Sequence, residues 1–578
     1  MDRKVLSAIV LMMLVAVAPA VLFKRSPPPV APAGAPDTTR AAVMPAAPAP
    51  APGAGPVVAA LPPAETDAPP ARPDTIVVTG PLYEYAFSTR GGRLVSASLL
   101  SYRSMLPDDQ GRSAQIFHPT SEFLASAVVI GRDTIPLGDW ILTASTDAVD
   151  VRSGPAALTF TGAGAGVQVT LTYTFTPEDY RIGVAGRIEG VGPNGALLLI
   201  RMGPGLRNTE SDSTEHRREL GVVVKAEDSK LHRFQGLDRG VPTVWSGPFE
   251  WVAVKSKYFV TAVFAVDSTQ RNGGRGRISG ARAFHADPMH AKPALADVEA
   301  SLAIPADGQF RYLVYAGPME YPRLRALGNE FDDVNPYGWP GFRTIIRPVA
   351  LGARWLLVWM HESLGFAYGL GLVAFGVLIR LLLWPLNQKA MRSSMEMQAI
   401  QPIMKELQEK YKNDPPRLQQ EMFKLYKERK VNPLGGCWPM LLPWPVLLAL
   451  FFVFQNSIEL RGESFLWMPD LSRADPLFLT PLLMGASMYA LMKLGQRGME
   501  PNPQMKMMLY IMPPVMTFMF AQFASGLNLY YLVSNLASLP QQWMLTQERL
   551  RRMPPPRPAP PTPAAASAGR KTKGRGRA

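Results

Sequence analysis

Cysteine is almost absent: the 578 residues contain one, Cys437. That excludes an internal disulfide framework and any metal site built from clustered thiolates. Histidine is scarce too, six in all, and none forms the H-E-x-x-H pair that holds zinc on a helix. No G-x-x-x-x-G-K-[ST] loop is present to cradle a nucleotide's phosphates, and no G-x-S-x-G elbow presents a nucleophilic serine. Direct ATP hydrolysis and serine acyl transfer are therefore out, and no cofactor is expected. The chain is not expected to be an enzyme.

The long apolar runs are poor in charge. Val5–Phe23 has none, and 19 residues just span a hydrocarbon core of ~30 Å. Arg3 and Lys4 before it favour an inside start, and Ala18-Pro-Ala20 offers cleavage as a signal peptide as the alternative. Residues 365–386, 434–458, 476–494, 508–523 and 526–545 are five further runs, giving six candidate spans. None of the five contains Asp, Glu or His, so a proton relay or acidic ion site, which a transporter would want, is missing. Residues 342–360 read as an amphipathic helix lying on the outer membrane surface.

The formal charge of +14 is unevenly placed. Segments 387–433, 493–507 and 546–578 hold 10, 3 and 9 basic against 6, 1 and 1 acidic residues, whereas 459–475 holds 2 against 4. Basic loops stay inside. Both termini are then cytoplasmic, with a large external domain after the first span. A sided excess of this kind speaks for membrane topology rather than DNA.

Between the first two spans the texture changes twice. Residues 26–73 hold 15 prolines and few large apolar side chains, which predicts a disordered tether. Residues 74–327 carry short β-type runs with turn punctuation. In Val167–Phe175 every second residue is apolar, as in a strand with one wet face, and Ile76–Thr79, Leu197–Ile200 and Tyr258–Phe264 are further strands. This predicts one large antiparallel β-sandwich. A carbohydrate-active site in it would need a convergent carboxylate and His pair. Residues 328–363 form the linker and interfacial helix, 364–545 the helical core, and 546–578 a basic tail.

One charge interrupts the second span. Arg380 cannot deprotonate, and its burial in lipid costs about 2.5–3.5 kcal/mol on insertion scales. It either faces a wet cavity or snorkels toward the basic loop that follows. Asn528, Tyr531, Asn535, Ser538 and Gln542 fall at offsets 0, 3, 7, 10 and 14 in the last span, one helical face. They either bond neighbouring helices or line a groove with Arg380; Gln522, ending the preceding span, is a further polar candidate. Residues 389–412 and 416–430 read as a helical hairpin broken at Asn413-Asp-Pro-Pro416. Its Met391, Met395, Met397, Met404 and Met422 suit either client contact or ordinary packing. Arg570, Lys571, Lys573, Arg575 and Arg577 in the tail suit either anionic lipid or ribosomal RNA.

Four stretches carry a family resemblance: Pro81-Leu-Tyr…Phe87-Ser-Thr-Arg-Gly-Gly-Arg-Leu-Val-Ser96, Arg380 with Pro385, Asn432-Pro-Leu-Gly-Gly-Cys437, and Ser525-Gly-Leu-Asn-Leu-Tyr-Tyr-Leu-Val-Ser-Asn535. In these, and in the order of its spans, the chain resembles the YidC membrane protein insertases of Gram-negative type. The resemblance implies a periplasmic β-supersandwich and an uncleaved first span. It also implies five core helices around a hydrophilic groove open to cytoplasm and lipid, with Arg380 as the groove arginine and Tyr531 as the last-span tyrosine. Nascent membrane proteins would be the clients and the Sec translocon a partner, in the inner membrane. Pro443, Gly376 and Gln522 depart from the family pattern.

Overall fold

Alternation of buried and exposed side chains accounts for most of the strands. The computed structural model describes residues 74–109, 111–266, 277–287, 293–338, 341–429, 444–498 and 503–552. Among them, strands between Thr75 and Pro318 form sheets of five, nine and six strands. Val167–Phe175 is a strand with the expected alternation, paired antiparallel to Ala156–Gly164 and Arg181–Glu189, third from one edge of the nine-stranded sheet. Thr75–Thr79, Ala196–Arg201 and Phe259–Ala265 are the other three predicted strands. The purely antiparallel expectation needs one correction, because Thr75–Thr79 pairs in parallel with Ala148–Asp150.

Trp251–Lys255 and Phe259–Ala265 are buried along their whole length, so neither shows a period of two. Aromatics fill the core: Tyr83 stacks on Tyr85 with centroids 4.2 Å apart, and Phe87 packs on Tyr173 at 4.9 Å. Burial of rings this large dominates the stability of the sandwich.

The short helix Ser213–Glu219, capped by Asp212, places His216 in this interior. Its Nε2 faces the Leu206 carbonyl oxygen at 3.3 Å, and burial pushes its pKa from 6.5 down to about 4. The folded chain then binds fewer protons than the unfolded one between those values. Stability is fully present above about pH 6.5 and falls as the pH drops toward 4, by up to about 3 kcal/mol. A thermal melt of the whole chain at pH 7 and pH 4.5 checks this: wild type should lose more than His216→Gln, and equal losses would contradict it.

The helical part begins with α1 (Arg343–Leu364), followed by α2 (Tyr368–Ala399), α3 (Gln401–Lys410), α4 (Pro415–Glu428), α5 (Trp444–Asn456), α6 (Leu479–Gln496), α7 (Pro503–Phe520) and α8 (Ser525–Arg552). α1 is amphipathic: Ile346, Ala350, Ala353, Leu357 and Met360 are buried, while Trp355 and Trp359 are exposed and stack at 6.4 Å. It ends at Gly365, whose positive φ lets the Gly365 and Phe366 amides bond the His361 and Met360 carbonyls. α2 runs straight from the first expected core span into the first arm of the hairpin and breaks only at Ile400. The hairpin turns at Tyr411–Asp414, where Asp414 caps α4.

Among the described residues one helical stretch, Tyr368–Leu386 with a mean hydropathy of 2.0, is long and apolar enough to cross a membrane; Trp444–Asn456 and Met505–Phe520 are apolar but shorter. Val5–Phe23, the proline-rich stretch, Cys437, Pro443 and the basic tail from Met553 onward lie outside the described residues. The sandwich adjoins one end of the bundle, and the hairpin continues from the other end of α2.

Candidate functional site

Arg380 lies two-thirds of the way along the apolar stretch of α2, and its Nε donates to Ser534 Oγ of α8 at 2.7 Å. No carboxylate among the described residues pairs with it. The seam between α2 and α8 is close one turn earlier. A Cβ on Gly376 would stand 3.1 Å from Val533 Cγ1, a tight contact that asks the valine to give by a few tenths of an ångström. Phe375 packs against Tyr530 at 5.9 Å, and Gln541 Nε2 donates to the Trp384 carbonyl at 3.1 Å. Three side chains of α8, Tyr530, Ser534 and Gln541, therefore face α2 around the arginine.

The polar stripe expected to line a groove with Arg380 divides its attention. Asn535 Nδ2 donates to Ser487 Oγ of α6 at 3.1 Å, and Asn528 Nδ2 donates to the Phe520 carbonyl of α7 at 3.0 Å. Tyr531 packs edge-on against Phe520 at 5.0 Å. Ser538 returns a bond to the Ser534 carbonyl at 2.6 Å, and Gln542 lies beside Gly495. Asn528 and Asn535 thus tie α8 to α7 and α6, while Tyr531 packs on α7 and also stands near Arg380, whose bond goes to the next strip round the helix. Gln522 is exposed in the turn between α7 and α8.

Tyr530, Ser534 and Gln541 were not singled out from sequence, although their offsets of 0, 4 and 11 also mark one helical face. Asn528 keeps one buried atom, Oδ1, without a partner among the described residues.

In the hairpin, Met404 accepts a contact from the Tyr426 hydroxyl at 3.9 Å and so joins α3 to α4, and Met422 is half-buried. Met391, Met395 and Met397 fall on the backbone of α2, with side chains outside the described residues, as are Arg570, Lys571, Lys573, Arg575 and Arg577. No group of three potential metal ligands occurs among the described residues.

Two family profiles cover nearly all of this architecture. The YidC periplasmic domain matches residues 75–350, and the 60Kd inner membrane protein matches residues 359–552. A membrane protein insertase YidC of Geobacter sp. (strain M21) is 32% identical over 487 residues, which is 82% of this chain and 85% of the relative. The chain belongs to the YidC family. The YidC of Syntrophus aciditrophicus (strain SB) is 31% identical over 582 residues, 95% of this chain and all of its own length. A solved structure of an active YidC insertase, with its first transmembrane domain resolved, is 19% identical and covers 81% of this chain and 92% of its own, with a TM-score of 0.33. Within the family, the β-rich part is the YidC periplasmic domain and the helices are the insertase core.

Proposed function

We infer that the chain inserts transmembrane segments of client proteins into the inner membrane, acting through a hydrophilic, positively charged groove lined by Arg380 of α2 and the polar face of α8. The observation that carries this is Arg380: a permanent cation within an apolar span, bonded to a hydroxyl at 2.7 Å and paired with no carboxylate among the described residues. A neutral partner orients the guanidinium and leaves its charge uncompensated. An acidic client tail supplies the missing anion. The groove shortens the ~30 Å barrier that the tail must cross. The client's apolar helix then leaves sideways into lipid, where transfer of its own surface out of water drives the step.

In this reading the chain has six spans and both termini in the cytoplasm. Residues 74–327 are periplasmic, 328–363 lie at the interface, and the hairpin at 387–433 receives clients through its methionines. The basic tail at 546–578 holds the ribosome or anionic lipid nearby. The protein works alone or with the Sec translocon, and it helps its clients fold. It carries out no covalent chemistry.

The β-domain is not where insertion happens. Deleting residues 80–320 should leave insertion of a small single-span client substantially intact in a reconstituted assay. Complete loss, with the truncated chain still folded, would place the essential activity in the sandwich.

A further inference from the structure

The stretch Ser457–Phe478, between α5 and α6, forms a lid over the end of the bundle nearest the β-domain. It touches five helices, and Glu459 pairs with Arg354 of α1. Phe465 fills the space a Cβ on Gly369 of α2 would need, at 2.1 Å from its Cγ. Ser457 N bonds the Val453 carbonyl of α5 at 2.8 Å, and Asp475 caps α6 through Thr480 N at 2.7 Å. The first two amides of α8, Ser525 and Gly526, donate to the lid carbonyls of Arg473 and Leu471 at 2.6 and 3.0 Å. Leu460, Met468 and Leu471 are buried in the core of the bundle.

The same lid is gripped from the other side. Arg461 reaches into the β-domain with its side chain 2% exposed. Its Nε donates to Glu210 Oε1 at 2.8 Å, its Nη1 to the Arg103 carbonyl at 2.8 Å and its Nη2 to the Thr209 carbonyl at 3.2 Å. The guanidinium also lies over the rings of Phe259 and Tyr258, at 5.4 and 5.8 Å. Ile458, three residues earlier, is buried in the sandwich core rather than in the bundle. A fork with acceptors on three separate residues fixes position and angle together, which a point charge does not.

We propose that the β-domain clamps this lid shut through Arg461, so that the bundle stays sealed at the β-domain end while the hairpin end admits clients. Arg461 is a positioning residue. It holds the Leu471–Arg473 backbone that caps α8, the helix whose Ser534 orients Arg380. The proposal rests on the insertase reading for its membrane setting and assigns the sandwich a role in sealing rather than insertion.

Two measurements on the full chain test the clamp. Hydrogen exchange at Leu471 of the lid, and at Ser525 and Gly526 of α8 that bond to it, should rise at least tenfold in Arg461→Gln, with Arg461→Lys falling between it and wild type. Strand Gln309–Pro318 should exchange as in wild type, which identifies a folded sandwich. Proteoliposomes of Arg461→Gln with an entrapped pH dye should pass protons several-fold faster under an imposed potential. Lid exchange or proton leak at the wild-type level in the folded variant would overturn the clamp. If Arg461→Gln does not fold, Glu210→Gln carries the test. It leaves the two carbonyl acceptors in place and should move both readouts the same way by less. Client insertion by wild type, scored in parallel, bears on the insertase reading alone, so the two can fail separately.

Discussion

Arg380→Ala is expected to lower insertion of clients with acidic N-terminal tails at least tenfold, while clients with neutral tails lose little. At an effective dielectric of about 20, a unit charge pair at ~4 Å is worth about 4 kcal/mol. A tenfold loss needs only about 1.4 kcal/mol of that, so a groove that stays largely hydrated still delivers the effect. Arg380→Lys should keep much of the activity, because charge does the attracting. Ser534→Ala should cost less than Arg380→Ala, since Ser534 accepts one bond at 2.7 Å and aims the guanidinium without neutralising it. The check is a protease-protection assay on a matched client pair differing only in tail charge. Equal insertion of the acidic client by wild type and Arg380→Ala would remove the groove from the account.

Asp475→Ala should destabilise the bundle by about 3 kcal/mol. The carboxylate is 1% exposed and does the work of a helix cap from outside the usual position. The residue before α6 is Phe478, in a left-handed conformation with no side-chain acceptor to offer. Asp475 supplies the acceptors instead, to Thr480 N at 2.7 Å, Leu477 N at 2.9 Å, Trp467 Nε1 at 3.1 Å and the Thr480 hydroxyl. Alanine loses the cap, worth about 1 kcal/mol, and leaves buried donors unpaired at about 1–3 kcal/mol each before relaxation. Asp475→Asn retains one oxygen and should fall between. A detergent-denaturation midpoint followed by helical circular dichroism reads the loss. An Asp475→Ala midpoint equal to wild type would contradict it.

The features legible in sequence were those written in local periodicity. Alternation placed Val167–Phe175 as a strand, the heavy apolar stretch placed Tyr368–Leu386, and Asn413-Asp-Pro-Pro416 placed the hairpin turn. A strand covered on both faces has no period of two, so Phe259–Ala265 is legible only as a continuous apolar run, and the shorter Trp251–Lys255, ending in a charge, is not. The division of the strands into three sheets, and the one parallel pairing, depend on contacts distant in the chain.

The same physics governs the site. Arg380 stood out because a charge in an apolar run is costly anywhere. Its partner did not, since the most regular polar stripe on α8 was the one bonding to Ser487 and Phe520, and Ser534 lay one strip over. The lid was least legible of all. Glu210 and Arg461 are 251 residues apart, and the acidic residues of 459–475 read as an external loop charge rather than as caps and clamps.

Photo-crosslinking of a ribosome-stalled client reads out whether the nascent chain passes Arg380. A photoreactive residue is placed in turn at Tyr531 and Ser534, beside Arg380, and at Val241, exposed on the sandwich. Client adducts are expected at 531 and 534, weakening when Arg380→Ala is introduced, and none at 241. Adducts at 241 with none at 531 or 534 would contradict that passage.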